Sequence, residues 1–263
     1  MSNLFNLSGK RAFVTGATHG LGMAMARGLA EAGAELIING TTPSRMDEAL
    51  EKYKNEGFKA RGYIFDVTQE EKAKKYVDKI EKEVGPIDIL VNNAGIIMRQ
   101  PLKDMNVKDY RRVIDVNLTG PFIMSQKVGN YMIKRQKGKI INICSMMSEL
   151  GRDTVGAYAA AKGGLKMLTK NLATEWARYN IQVNGIGPGY FATSQTEPIR
   201  KDGHPLHEFI KNRTPAGKWG EPSDLAGATV FLASKASDFI NGHILYVDGG
   251  ILATIGKPVN KVT

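Results

Sequence analysis

One cysteine in 263 residues excludes an internal disulfide. It is Cys144, inside an apolar run, which suits a reducing compartment. No stretch reaches the apolar length of a membrane-spanning helix, and the first fourteen residues hold no charged segment followed by a long apolar one. A soluble, cytoplasmic protein without a membrane partner is expected. No linker, repeat or low-complexity tract is present, so residues 1–263 read as a single domain. There are four histidines. His204 and His207, three apart with no further ligand, are poor grounds for a metal, and none is expected. Acids are outnumbered, 26 against 36 Lys and Arg, giving a net charge of +10. That raises nucleic acid as a partner. The distribution argues against it, because residues 46 to 84 alternate in sign and nearly cancel. The excess lies mainly between Arg99 and Lys139, including Arg111, Arg112, Lys134, Arg135 and Lys137. Most of these read as exposed helix surface; a field drawing an anionic small molecule is the sharper alternative.

Hydrophobic residues make up 42% of the chain, enough for a substantial core. Apolar, β-rich runs alternate with helical patterns. Strands are expected at 11–15, 35–39, 60–65, 87–92, 140–144, 181–186 and 244–247. Helices are expected at 20–32, 43–56, 68–84, 105–135, after residue 155, and at 206–212 and 223–232. Thr41 or Thr42 can cap the second helix, with Pro43 in its first turn. Gly120-Pro121 predicts a bend or break in the long fourth helix. Repeated βα units imply an α/β fold: a doubly wound parallel sheet of about seven strands with helices on both faces. The tail after Gly256 reads as loose.

Between the first strand and helix lies Thr15-Gly16-Ala17-Thr18-His19-Gly20-Leu21-Gly22. Glycines there permit a tight turn and bring a dinucleotide pyrophosphate against helix N-terminal amides. The spacing is not the familiar G-x-G-x-x-G, so a plain turn is the competing reading. Asp66, followed by Val67, could hydrogen-bond an adenine; alternatively it is a helix-start acid beside Thr68. The second strand ends Asn39-Gly40-Thr41-Thr42, lacking the acid that would bind the ribose of NAD and repel the extra phosphate of NADP. His19, Thr41, Thr42 and Arg45 could donate to that phosphate. NADP(H) is favoured and NAD(H) is possible.

The stretch from Lys139 to Lys170 carries the chemistry. An apolar strand ends at Ser145, and a helix then presents Tyr158 and Lys162, one turn apart on one face. A hydroxyl, a phenol and an ammonium meeting at one point can move a proton beside a carbonyl or an alcohol. With the glycine loop, Asn92-Asn93-Ala94-Gly95, Asn117 and Pro188-Gly189-Tyr190-Phe191-Ala192-Thr193, the stretch closely resembles the classical short-chain dehydrogenase/reductase family, in order and over nearly the whole chain. The resemblance implies a Rossmann-type fold and hydride exchange with a nicotinamide cofactor. Tyr158 would be the general acid in reduction and the base in oxidation. Lys162 would lower its pKa and bind the nicotinamide ribose, Ser145 would hold the substrate oxygen, and Asn117 would support a proton-relay water. A phenol's ordinary pKa of about 10 makes such help necessary at neutral pH. Gly16, Gly20, Gly22, Asn93, Ala94, Gly95, Pro188 and Gly189, with Phe191 and Thr193, would line the cofactor.

The segment from Asn142 to Asp153, with Ser145, Met147, Glu149 and Arg152, is similar to that of the gluconate 5-dehydrogenase (5-ketogluconate reductase) branch. The segment 189–202 is somewhat closer to the related 2-deoxy-D-gluconate 3-dehydrogenase and 2-dehydro-3-deoxy-D-gluconate 5-dehydrogenase branch. A reductase of the alginate-derived keto-uronate is a third possibility. All imply a small anionic sugar acid. Arg99 is the first candidate for its carboxylate, and Arg152 and Glu149 could reach carboxylate or hydroxyls, a loop salt bridge being their alternative. A lid near 191–215 would carry His204, His207, Lys211 and Arg213. A 3-oxoacyl carrier-protein reductase and a non-catalytic binding protein are the competing classes. The resemblance implies a homotetramer formed through helices near 105–135 and 155–179.

Overall fold

The computed structural model describes residues 4–256 apart from Gln195 and Asp202; the tail beyond Gly256 lies outside the described residues. Seven strands form one sheet in the order β3-β2-β1-β4-β5-β6-β7, and every pairing is parallel. The elements alternate as the sequence predicts. They are β1 (Arg11–Val14), α1 (Gly20–Glu31), β2 (Glu35–Gly40), α2 (Pro43–Asn55), β3 (Ala60–Ile64), α3 (Glu70–Glu83), β4 (Ile89–Asn92), α4 (Val107–Ile114), α5 (Gly120–Arg135), β5 (Gly138–Ile143), α6 (Gly156–Trp176), β6 (Ile181–Pro188), α7 (Pro205–Arg213), α8 (Ala226–Ala233) and β7 (Ile244–Val247). No helix among the described residues is long and apolar enough to cross a membrane.

Successive strand residues point to opposite faces, so each inner strand feeds two cores. Ala12 and Val14 pack with Met25 and Leu29 of α1, Tyr53 of α2 and Leu232 of α8. Phe13 packs on the other side with Val77 and Ile80 of α3 and Met124, Val128 and Met132 of α5. Burial on both faces is why the strands read as continuous apolar runs rather than alternating ones.

The expected break near Gly120-Pro121 takes a specific form. Asp115–Thr119 is a π-helical turn joining α4 to α5, with the Gly120 N–H bonded to the Asp115 carbonyl five residues back. Pro121 has no N–H for the carbonyl four residues back, that of Asn117, and the chain widens there. Pro121 itself sits in the first turn of α5, where a missing donor costs nothing.

Chain order runs outward from β1 to β3, returns to β4 beside β1, and runs outward again to β7. The crevice between β1 and β4, at the carboxyl ends of the strands, is where open α/β sheets bind ligands.

Candidate active site

A cavity of about 660 Å³ opens at those strand ends. Its walls contain Gly16 and Thr18 to Gly22 at the end of β1, Gly40, Thr41, Thr42 and Arg45 at the end of β2, Asp66 and Val67 after β3, Asn93 to Ile97 and Arg99 after β4, Ser145, Met146, Met147 and Arg152 after β5, and Pro188 to Phe191, Thr193, Ser194, Thr196 and Ile199 at the end of β6.

The glycine loop is built for a ligand's close approach. Asn93 Nδ2 donates to the carbonyls of Thr15 and Gly16 at 2.9 and 3.0 Å, locking the β1 and β4 ends together. A Cβ on Gly22 would lie 2.4 Å from both Asn93 Nδ2 and the Gly16 carbonyl oxygen. Gly20 differs: its φ is +58°, and a Cβ there would meet nothing within 4 Å, so the loop's open side faces free space at the start of α1. That cradle at a helix N-terminus fits a dinucleotide's pyrophosphate. His19, Thr41, Thr42 and Arg45 line the same end. Thr42 is the cap residue of α2 without a capping side-chain bond. His19 Nδ1 lies 3.1 Å from Thr18 Oγ1. Burial and then the Arg45 charge lower the His19 pKa, so the two are close enough to feel each other.

Asp66 lines the cavity, yet its carboxylate is already engaged. Oδ1 accepts from the Thr68 N–H and hydroxyl, and Oδ2 accepts from Arg112 Nη2 at 2.7 Å. Burial works to raise its pKa, but these bonds and the Arg112 charge prevail and lower it. Asp66 is thus tied to Thr68 and also faces the cavity. Arg112, read from sequence as surface, also lines the cavity.

The reacting groups lie beyond β5. Ser145 is extended at the strand end, and its Oγ accepts from the Met147 N–H at 3.1 Å. Its own N–H donates to Ser148 Oγ at 3.3 Å, and Ser148 donates to the Lys162 carbonyl at 2.9 Å. Ser148 thus ties the serine to the helix carrying Tyr158 and Lys162. Its S-x-x-S spacing from Ser145 was the available signal. Lys162 is buried; its Nζ donates to the Ile143 carbonyl at 2.6 Å and sits 5.6 Å from the centre of the Tyr158 ring. Burial lowers the Lys162 pKa to about 8. Burial raises the Tyr158 pKa, while the Ser145 hydrogen bond and the Arg99 charge oppose that rise. The Cys144 thiol beneath them is pushed up to about 11 by burial and is uncharged at neutral pH.

At the outer end Arg99 and Arg152 both reach the cavity, with Met147 and Tyr190. Arg99 has its pKa lowered by desolvation and by the Arg152 charge, with Tyr158 and Tyr190 opposing. Two cations thus share one rim beside the phenol.

One expectation needs correction. Glu149 does not line the cavity: it is exposed, with Oε1 and Oε2 each 2.6 Å from Lys166 Nζ and Oε1 also accepting from the Tyr246 hydroxyl. It braces the loop against α6 and β7. Asn117 is fully buried and its side chain is spent on a backbone clamp, with Oδ1 accepting from the Ile96 N–H at 2.8 Å and Nδ2 donating to the Ile96 carbonyl at 2.7 Å. It lies in the π turn rather than in a regular helix, and it holds the 93–97 wall in place. In the expected lid, Thr193, Ser194, Thr196 and Ile199 face the cavity, whereas no described residue of α7 does. His204 caps α7 by accepting from the Leu206 N–H, and Arg213 Nη1 donates to the Ile251 carbonyl at 3.1 Å. Lys211 lies 3.9 Å from Glu208. Asp202 lies outside the described residues.

The family model described as short chain dehydrogenase matches residues 10–204. The 2-dehydro-3-deoxy-D-gluconate 5-dehydrogenase of Formosa agariphila is 66% identical over 260 residues, covering 98% of each chain. The 5-keto-D-gluconate 5-reductase of Escherichia coli K12 is 49% identical, over 97% of this chain and 100% of the relative. A crystal structure of a gluconate 5-dehydrogenase from Burkholderia cenocepacia in complex with NADP and tartrate superposes with a TM-score of 0.92 at 46% identity, over 96% of this chain and 99% of the other. The glycine cradle, the Ser145–Tyr158–Lys162 cluster and these similarities agree, and the chain belongs to the short-chain dehydrogenase/reductase family as an NAD(P)-dependent oxidoreductase acting on a hydroxyl or keto group.

Proposed function

We propose that the protein interconverts a six-carbon keto-sugar acid and its hydroxy acid. The carbonyl or carbinol carbon sits at Ser145 and Tyr158, and the carboxylate sits at Arg99 and Arg152. The observation carrying this reading is the pair of arginines on one rim beside Tyr158. Two like charges there are unfavourable without an anion between them. Between the sugar acids, the 66% identical relative favours 2-dehydro-3-deoxy-D-gluconate, oxidised or formed at C5, over the gluconate and 5-ketogluconate pair of the 49% identical one.

In reduction, Ser145 Oγ holds the carbonyl oxygen and Tyr158 gives it the phenolic proton as negative charge develops. Its raised pKa keeps that proton in place at neutral pH. Lys162 holds the ribose side, orients the cofactor and favours the phenolate after transfer. The nicotinamide, when bound, supplies or accepts the hydride. Asn117 acts through Ile96 and the wall it fixes, and with the widened turn it supports a relay water near Lys162.

NADP(H) is the favoured cofactor. The β2 end lacks an acid, and His19, Thr41, Thr42 and Arg45 stand ready for the 2′-phosphate. Asp66 and Val67 would border the adenine. A cytoplasmic homotetramer and a lid over 191–215 belong to the same reading. Initial rates with 5-ketogluconate, the C5 ketone of 2-dehydro-3-deoxygluconate and the alginate-derived keto-uronate, each with NADPH and NADH, test it. Turnover of an acetoacetyl thioester but of none of these acids would overturn it.

A further inference from the structure

A chain of side chains leads from the substrate rim to α7. Arg152 Nη1 donates to the Tyr190 hydroxyl at 3.0 Å, and its guanidinium carbon lies 5.8 Å from the Tyr190 ring centre. Tyr190 meets Trp219 edge to face, with ring centres 5.7 Å apart and planes at 65°. Trp219 donates its Nε1–H to His207 Nδ1 at 3.1 Å, and those rings stack at 6.1 Å and 18°. His207 belongs to α7. Arg152 and Tyr190 line the cavity, whereas Trp219 and His207 are buried behind them. The backbone reinforces the alignment. The Gly220 N–H donates to the Tyr190 carbonyl at 2.9 Å, and the Ala192 N–H donates to the Gly220 carbonyl at 2.8 Å. Trp219 is therefore fixed against Tyr190 by main chain as well as by ring contact.

Such a hold has a physical purpose. An arginine free to rotate must surrender that freedom when it binds a carboxylate, whereas a stacked and hydrogen-bonded guanidinium is already set. Arg152 also stands near Arg99, and repulsion would turn it outward unless something held it in. We infer that Trp219 and His207 are positioning residues for the substrate's carboxylate: through Tyr190 they keep Arg152 over the cavity, and they join the docking of α7 to the binding of the anion. This rests on the reading of the substrate as a carboxylate.

The probe is tartrate, titrated into the NADP-loaded protein. Trp219→Phe keeps a ring beside Tyr190 but removes the N–H to His207. It is expected to weaken tartrate five- to twentyfold while leaving the NADPH dissociation constant within twofold. In an Arg152→Ala background the same substitution is expected to have no further effect. Additive losses, or equal losses for tartrate and NADPH, would reduce Trp219 to lid packing and overturn the inference. Tyr190→Phe, which deletes only the hydroxyl, guards against misfolding and is expected to weaken tartrate alone. In a Trp176→Phe background, Trp219 is the one remaining tryptophan, and its emission is expected to change with tartrate and to stop responding in Arg152→Ala. A silent Trp219, or wild-type protein that binds no tartrate, also overturns the inference. If the tartrate response holds but no keto-sugar acid is turned over, the substrate reading falls and the positioning role stands.

Discussion

Tyr158 and Lys162 share one helix turn but differ in what burial does to them. Burial keeps the phenol protonated and makes the ammonium easier to deprotonate, lowering the Lys162 pKa to about 8. Reduction needs both protons, so kcat/KM for the ketone is expected to fall as pH rises through about 8, where Lys162 loses its charge. Stability moves the other way. The unfolded lysine, at 10.5, holds its proton through the window from about 8 to 10.5 while the folded one does not, so this group's contribution to stability rises with pH there. A melting curve at each pH separates the two, and activity that fell together with the melting temperature would refute the assignment. Tyr158→Phe is expected to lower turnover by about 10²- to 10⁴-fold with NADPH affinity unchanged, since general acid catalysis is worth that much. Fluorescence titration and initial rates check it. Tyr158 and Lys162 are legible in the chain because helical spacing fixes which side chains share a face, and Ser145 because it closes an apolar strand. Glu149 was not legible: the partners that turn it outward, Lys166 and Tyr246, lie 17 and 97 residues away. Nor was the cavity position of Arg112, which depends on α4 lying across from Asp66.

At the scale of elements, the α4–α5 junction shows how a helix fault becomes a support. Gly120-Pro121 announces a break, and the structure places a π turn one step earlier, because the missing Pro121 N–H falls on the Asn117 carbonyl. The same turn buries the Asn117 side chain against Ile96. Asn117→Ala leaves the Ile96 N–H and C=O without these partners, which is expected to cost about 1–3 kcal/mol of stability and to loosen the cavity wall. Denaturant unfolding gives the first quantity and the KM for cofactor the second; wild-type values for both would remove Asn117 from the wall. Gly22 makes a sharper case. A methyl there would overlap Asn93 Nδ2 and the Gly16 carbonyl, so Gly22→Ala is expected to cost about 1–3 kcal/mol and to weaken cofactor binding at least tenfold. The strands and most helices could be read from periodicity alone, since their burial patterns are written into the residues they span. The π turn and the β1–β4 clamp could not, because each is set by atoms that meet only once the sheet has formed.

The whole molecule carries a net charge of +10, and both the proposed cofactor and the proposed substrate are anions. A positive field of this kind raises encounter rates and weakens with salt. The sheet order brings the cationic ends together: Arg45, Arg99, Arg112 and Arg152 come from three different connections yet line one cavity. Assembly is decided on another surface. Val107 of α4 and Phe122 of α5 are 61% and 43% exposed, and Tyr110 and Met167 add apolar area on α4 and α6. Large side chains left bare on neighbouring helices mark a contact surface, and the proposed homotetramer would cover them. Light scattering is expected to give four times the 28.7 kDa of the chain. Val107→Glu combined with Phe122→Glu, both outside the cavity, is expected to yield a smaller species, because burying two carboxylates in an apolar interface is prohibitive without partners. Unchanged circular dichroism would show that the fold survives. A variant that kept the mass of the wild type would move the interface elsewhere, with the fully exposed Phe239 next to be tested.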